Sequence, residues 1–235
     1  MMFCAALLVG MAKTGVSGVG MLAVPLMAIV FGGKQSAGVL LVILICADVI
    51  GAWYYNRHAN WQLLRRLLPL AFVGILLGTF VGHQIDDESF KVMMAVIIFL
   101  SVAIMVWRER AKDLAIPSST WFVAFFGMAG GFASMVGNVA GSVMTLYFLS
   151  MRLPKNQFIG TAAWFFLIVN LLKMPFHIVV WETITVDSAL LSAVAFPAVA
   201  LGAYLGIRIV REIPEQTYRY LVIAMLGVTA LLMLL

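Results

Sequence analysis

Lys13-Thr14-Gly15-Val16-Ser17-Gly18-Val19-Gly20 interrupts an apolar segment that runs from about Met2 to Gly32. A single helix of that length would be about 45 Å long, well over the ~30 Å hydrocarbon core of a bilayer. Glycine costs up to about 1 kcal/mol at each position in a helix interior, so the stretch makes a poor continuous helix. It reads as two half-helices meeting at a polar break. A second break of the same kind falls in Trp121–Leu149, where Gly130-Gly131 is followed by Ser134, Gly137-Asn138 and Gly141-Ser142.

The surrounding composition says what solvent these breaks sit in. Of the 235 residues, 64% are hydrophobic and 11% are charged, against about 45–50% and about 25% in soluble domains. With a mean hydropathy of +1.08 the chain has too little polar surface to cover a water-soluble globule, and an all-α polytopic membrane protein is predicted. The formal net charge of +5 lies mainly in short loops and is read as a signal of orientation in the lipid bilayer. No basic run with interleaved aromatics suggests nucleic acid. Cys4 and Cys46 stand alone in apolar stretches and are expected to be small core residues. No metal-ligand spacing is present, and neither a metal nor a cofactor is expected. Nothing basic precedes Phe3–Val9 and no small-residue cleavage site follows, so a cleavable signal peptide is not expected.

Working outward, eight apolar segments fall at about Met2–Gly32, Gln35–Tyr55, Leu64–Gly82, Phe90–Trp107, Trp121–Leu149, Phe158–Trp181, Ala189–Val210 and Tyr218–Leu235. The second four repeat the first. At an offset of about 122, Gly15 falls on Gly137, Gln35 on Gln157, Gly38 on Gly160 and Asp48 on Asn170. At about 124, Gly74, Gly78 and Gly82 fall on Ala198, Gly202 and Gly206; such rows let membrane helices approach closely. One integral domain of two repeats is expected, residues 1–112 and 113–235.

Loop charges set the direction of each repeat. Arg57, Arg65 and Arg66, and then Arg108, Arg110 and Lys112, mark two cytoplasmic connections; the loop with Asp86, Asp87, Glu88 and Lys91 lies outside. If segments 2–32 and 121–149 are re-entrant, Arg152, Lys155, Arg208 and Arg211 also stay inside, while Glu182 and Asp187 face out. The repeats are then inverted, with three crossings each and both termini outside. Lys34 is the exception, landing outside.

Broken helices in inverted repeats are the mark of secondary transporters, with the site where the breaks meet. Helix N-termini suit anions. A small anionic substrate is therefore expected at Lys13, Thr14, Ser17, Gly18 and Gly20 from the first break, and at Gly137, Asn138, Gly141 and Ser142 from the second. Asn170 and Lys173 would join them, because Asn170, Lys173 and His177 share a helix face. Asp48 is open to three readings: a partner of Lys13, a carrier of a coupling proton, or a bond to a neighbouring helix. His177 is read as a packing residue or a proton relay.

These residues resemble the TauE/SafE sulfite exporter family. The first break with Val24-Pro25-Leu26 is similar to its glycine-rich first motif. Gly137-Asn138-Val139-Ala140-Gly141 with Leu146-Tyr147 is similar to the partner motif, and Leu153-Pro154-Lys155-Asn156-Gln157-Phe158-Ile159-Gly160-Thr161, running on to Asn170 and Pro175, to its later run. Ser142 departs from the proline that many members carry. The resemblance implies transport of small, often sulfur-containing anions such as sulfite or sulfonates, driven by an ion gradient. Two other readings compete. One is a passive anion channel on the same scaffold. The other is a rhomboid-like serine protease, in which Ser17 of Gly15-Val16-Ser17-Gly18 would need His177 or His83 within reach.

Overall fold

A computed structural model describes residues 1–16, 18–110, 120–218, 220–222 and 224, without the side chains of 101, 102, 104–110 and 142. Helix is the regular structure throughout the described residues. The order is α1 (Met2–Lys13), a 3-10 turn (Val19–Leu22), α2 (Ala23–Phe31), α3 (Gly33–Tyr54), α4 (Trp61–Gln84), α5 (Asp87–Arg110), α6 (Thr120–Met135), α7 (Ala140–Ser150), α8 (Lys155–Val179), α9 (Val186–Val194) and α10 (Phe196–Glu212). Helices α3, α4 and α8 are each long and apolar enough to span a bilayer, and α9 with α10 would make a fourth span. Large apolar side chains such as Trp53, Phe80, Phe99, Leu171 and Tyr204 are exposed, as a lipid-facing surface requires.

Both long first segments are broken, and in both the chain doubles back. A Cβ on Gly130 would touch the Met144 side chain. In a straight helix those residues would stand about 20 Å apart. Gly20 similarly lies against Ala12. The second reversal closes the end of α6 with two backbone hydrogen bonds: the Val139 amide donates to the Ala133 carbonyl (3.0 Å) and the Asn138 amide to that of Ser134 (3.2 Å). Gly137 and Asn138 take φ values of 78° and 63°, and glycine and asparagine adopt this left-handed region most readily.

Matching helices from the two halves meet. Near the middle of α3 and α8, the Asn170 amide donates to the Asp48 carboxylate, and these two residues are 122 positions apart in the chain. Gly38, early in α3, abuts Thr183 beyond the end of α8; Gly160, early in α8, abuts Tyr55 and His58 beyond the end of α3. Contacts that run in opposite senses along the two helices make the pair antiparallel. The small-residue rows predicted to pack closely do so reciprocally. Gly202 and Gly206 of α10 meet the backbone at Leu7 and Met11 of α1, while Gly74 and Gly78 of α4 meet Met128, Phe132 and Met135 of α6.

Two expectations need correction, and a third lies beyond the described residues. The segment Ala189–Val210 is two helices, bent by 47°. Pro197, in the first turn of α10, has no N–H for the Ala193 carbonyl and crowds it with its ring. The cysteines are not core residues: Cys4 is exposed and Cys46 half-buried, because an apolar residue facing lipid has no need of burial. The last segment, Tyr218–Leu235, and the loop charges at Lys112 fall largely or wholly outside the described residues.

Lys34, which broke the loop-charge pattern, is locally compensated. Its ammonium donates to the Ile85 carbonyl, and the Gly33 and Lys34 amides donate to Asp87 at 2.9 and 2.7 Å. Lys155 does the equivalent in the second half, donating to the carbonyls of Val210 (3.0 Å) and Ile213 (2.6 Å). Burial alone would raise the Asp87 carboxyl, but the Gly33 and Lys34 amides and the Lys91 ammonium outweigh it and hold it below the usual carboxylate range. A depressed carboxyl stabilises the fold above its unfolded value near 3.9 and stops doing so as pH falls through the folded value. Thermal unfolding in detergent is therefore expected to show an acid-labile contribution below about pH 4 that Asp87→Asn removes. An unchanged acid limb in that variant would refute the assignment.

Candidate functional site

The two reversals bring their tips to one cavity. Lys13, Gly18 and Gly20 line it from the first break, Ser134, Asn138, Ala140 and Gly141 from the second, and Asn170 from α8. Gly141 packs against Met21, so the tips touch. Apart from Thr145 the rest of the wall is apolar, with Phe148, Phe158, Ile159, Ala162 and Phe166 among its residues. The centres of water-sized spheres have about 90 Å³ of room, which at ~10–15 Å³ each is space for several waters or one small oxyanion.

Helix ends shape the electrostatics. Helix α7 starts at Ala140 with no side-chain cap, and its first residues lie on the cavity, where aligned amides favour an anion. Lys13 closes the last turn of α1. Its ammonium pairs with Asp48 at 2.9 Å and lies 4.0 Å from the centroid of the Phe166 ring, a cation–π contact. The Lys13 side chain keeps 12% exposure and Asp48 has none; Lys13 lines the cavity and its counter-ion does not.

Lys173 is placed otherwise than the sequence implied. It is fully buried and does not line the cavity. Its Nζ donates to the Ser134 carbonyl (2.7 Å), to Ser134 Oγ (3.0 Å) and to Asn138 Oδ1. An ammonium has three donors, and all three are engaged. Ser134 is in the last turn of α6, where a cation complements the helix dipole. Asn138 in turn donates to the Ala37 carbonyl at 2.9 Å. Lys173 thus holds the second break in shape.

Thr14, Gly137, Asp48 and His177 also lie outside the cavity wall. Thr14 Oγ bonds to the carbonyls of Gly10 and Ala203 at 2.9 and 3.1 Å and ties α1 to α10. Gly137 packs on Met94. His177 is buried, with Nδ1 2.8 Å from Thr183 Oγ1 and its ring beside Trp181. Ser17 and the Ser142 side chain lie outside the described residues, and with Ser17 goes the serine–histidine distance that a protease would need. Ser134 and Phe166 are among the lining residues that escaped the sequence reading as site residues. Each stands four residues before an identified one, Asn138 and Asn170, and that spacing was the available signal.

The sequence model of the family described as Sulfite exporter TauE/SafE matches residues 2–233, nearly the whole chain. No curated protein and no solved structure matches.

Proposed function

The chain belongs to the sulfite exporter TauE/SafE family, and on that premise we propose that it is an ion-gradient-driven carrier for a small, sulfur-containing anion such as sulfite or a sulfonate. One observation carries the reading: Lys13 lines a cavity that both helix breaks also line. The anion would lie between Lys13, the Asn138 and Asn170 amides and the first turn of α7. Low dielectric strengthens such contacts relative to water. Residues 1–112 and 113–235 would form the two inverted repeats of one domain in the cell membrane, with both termini outside. The antiparallel pairing of α3 with α8 and the reciprocal packing of α1 on α10 and α4 on α6 support that arrangement.

Purified protein in liposomes, tested with sulfite, thiosulfate, sulfonates and carboxylates, is expected to give saturable, gradient-dependent flux of a sulfur oxyanion and counterflow exchange. Non-saturating flux without counterflow would identify a passive channel, and flux of none of these anions would sink the reading.

A further inference from the structure

We infer that Asp48 is the carrier's internal occupant of the Lys13 ammonium, displaced by the incoming anion, and that Asp48 takes up one proton as the anion binds. The inference rests on the anion-carrier reading and adds its coupling ion and stoichiometry.

Asp48 is wholly buried. One carboxylate oxygen faces Lys13 and the other accepts from Asn170. Among the elements packed on α3, α1 contributes Lys13, and α8 contributes Lys173 with His177 one turn beyond. The charged groups of α5, α9 and α10, such as Asp87, Lys91, Asp187, Arg208 and Arg211, lie at or near helix ends. Lys173 already spends its three hydrogens on Ser134 and Asn138. It cannot turn to Asp48 or to an anion without releasing the second break.

An anion at Lys13 therefore leaves one ammonium in contact with two negative groups in a site of low dielectric, since Lys173, though it still attracts Asp48 through space, has no hydrogen to give either of them. Like charges so placed do not both stay ionised. The neutral outcome requires only a proton from the aqueous phase: an O–H bond forms on the Asp48 oxygen that faced Lys13, the ammonium keeps its own protons, and the new O–H can donate to the anion. When the anion leaves, Asp48 returns its proton to the water on that side and pairs with Lys13 again. One proton then crosses with each anion.

Methanesulfonate and thiosulfate test this, since their own charge is constant from about pH 5.5 to about pH 8.5. Wild-type affinity is expected to fall about tenfold per pH unit across the upper half of that range. Calorimetry in two buffers of different ionisation enthalpy is expected to count about one proton taken up per anion. Asp48→Asn is expected to bind with no pH dependence and to carry anion without acidifying the receiving lumen. If the wild type binds either anion with no pH slope and no proton uptake, or if Asp48→Asn keeps the slope, the inference is overturned while the carrier reading stands. The proton count on wild type decides the matter even if the variant fails to fold. Failure of the wild type to bind or move any anion of the liposome panel would overturn the carrier reading itself, and this inference with it.

Discussion

Replacing Lys13 by methionine is expected to weaken anion affinity by about 30-fold or more, since removing one member of a buried charge pair costs about 2–5 kcal/mol. Methionine keeps much of the stem's volume and removes the ammonium. The single variant also strands the Asp48 carboxylate without its cation, a loss of about 3–5 kcal/mol in fold stability when a buried pair is broken one-sidedly. Lys13→Met combined with Asp48→Asn removes both charges and is expected to recover much of the thermal stability while still failing to bind anion. Equilibrium binding and thermal unfolding of both variants separate the two effects. Near-wild-type affinity in the double variant would exclude Lys13 from the site. Lys173→Met is expected to act chiefly on stability, because its ammonium touches Ser134 and Asn138 and not the cavity.

The second large effect concerns the helix contacts that hold each reversal in place. A Cβ on Gly131 would collide with the Ala71 carbonyl, and one on Gly202 with that of Leu7. Backbone cannot move aside as a flexible side chain can, so each substitution must push a helix pair apart. Overpacking by a methyl costs about 1–3 kcal/mol, which for a chain of this size lowers the unfolding midpoint by about 2–12 °C. Gly131→Leu and Gly202→Leu are expected to go further and leave little monodisperse protein in detergent. Gly141→Ala is the control, because its Cβ would meet only the Met21 side chain, at 3.5 Å. Equal behaviour of Gly131→Ala and Gly141→Ala would refute the packing argument.

Much of this architecture was legible beforehand because it is written in local chemistry. Glycine clusters within thirty-residue apolar segments make one continuous helix costly, and both segments break, although Gly130 and Gly131 themselves lie inside α6. The pairing of Asp48 with Asn170 was visible as an offset, and the structure shows the two residues bonded to each other. Less legible was Pro197, which bends α9 from α10 while α4 runs on as one helix through Pro69. The proline rule is the same at both positions, and the local sequence does not say at which of them the helix bends.

The roles of the two intramembrane lysines show the same division. Composition, the two breaks and the repeat offsets sufficed to establish a polytopic helical membrane protein and to single out Lys13, Asn138, Gly141 and Asn170. They could not tell a lysine that lines a cavity from one that braces a helix end, because both are simply cations in an apolar run. That difference is set by which acceptors the fold brings within 3 Å. Lys173 meets three oxygens of Ser134 and Asn138, from a helix end and turn thirty-five or more positions away in the chain, and Lys13 meets one carboxylate and an open space. An ammonium has only three hydrogens to give, and three-dimensional packing alone determines how many of them are left for a ligand.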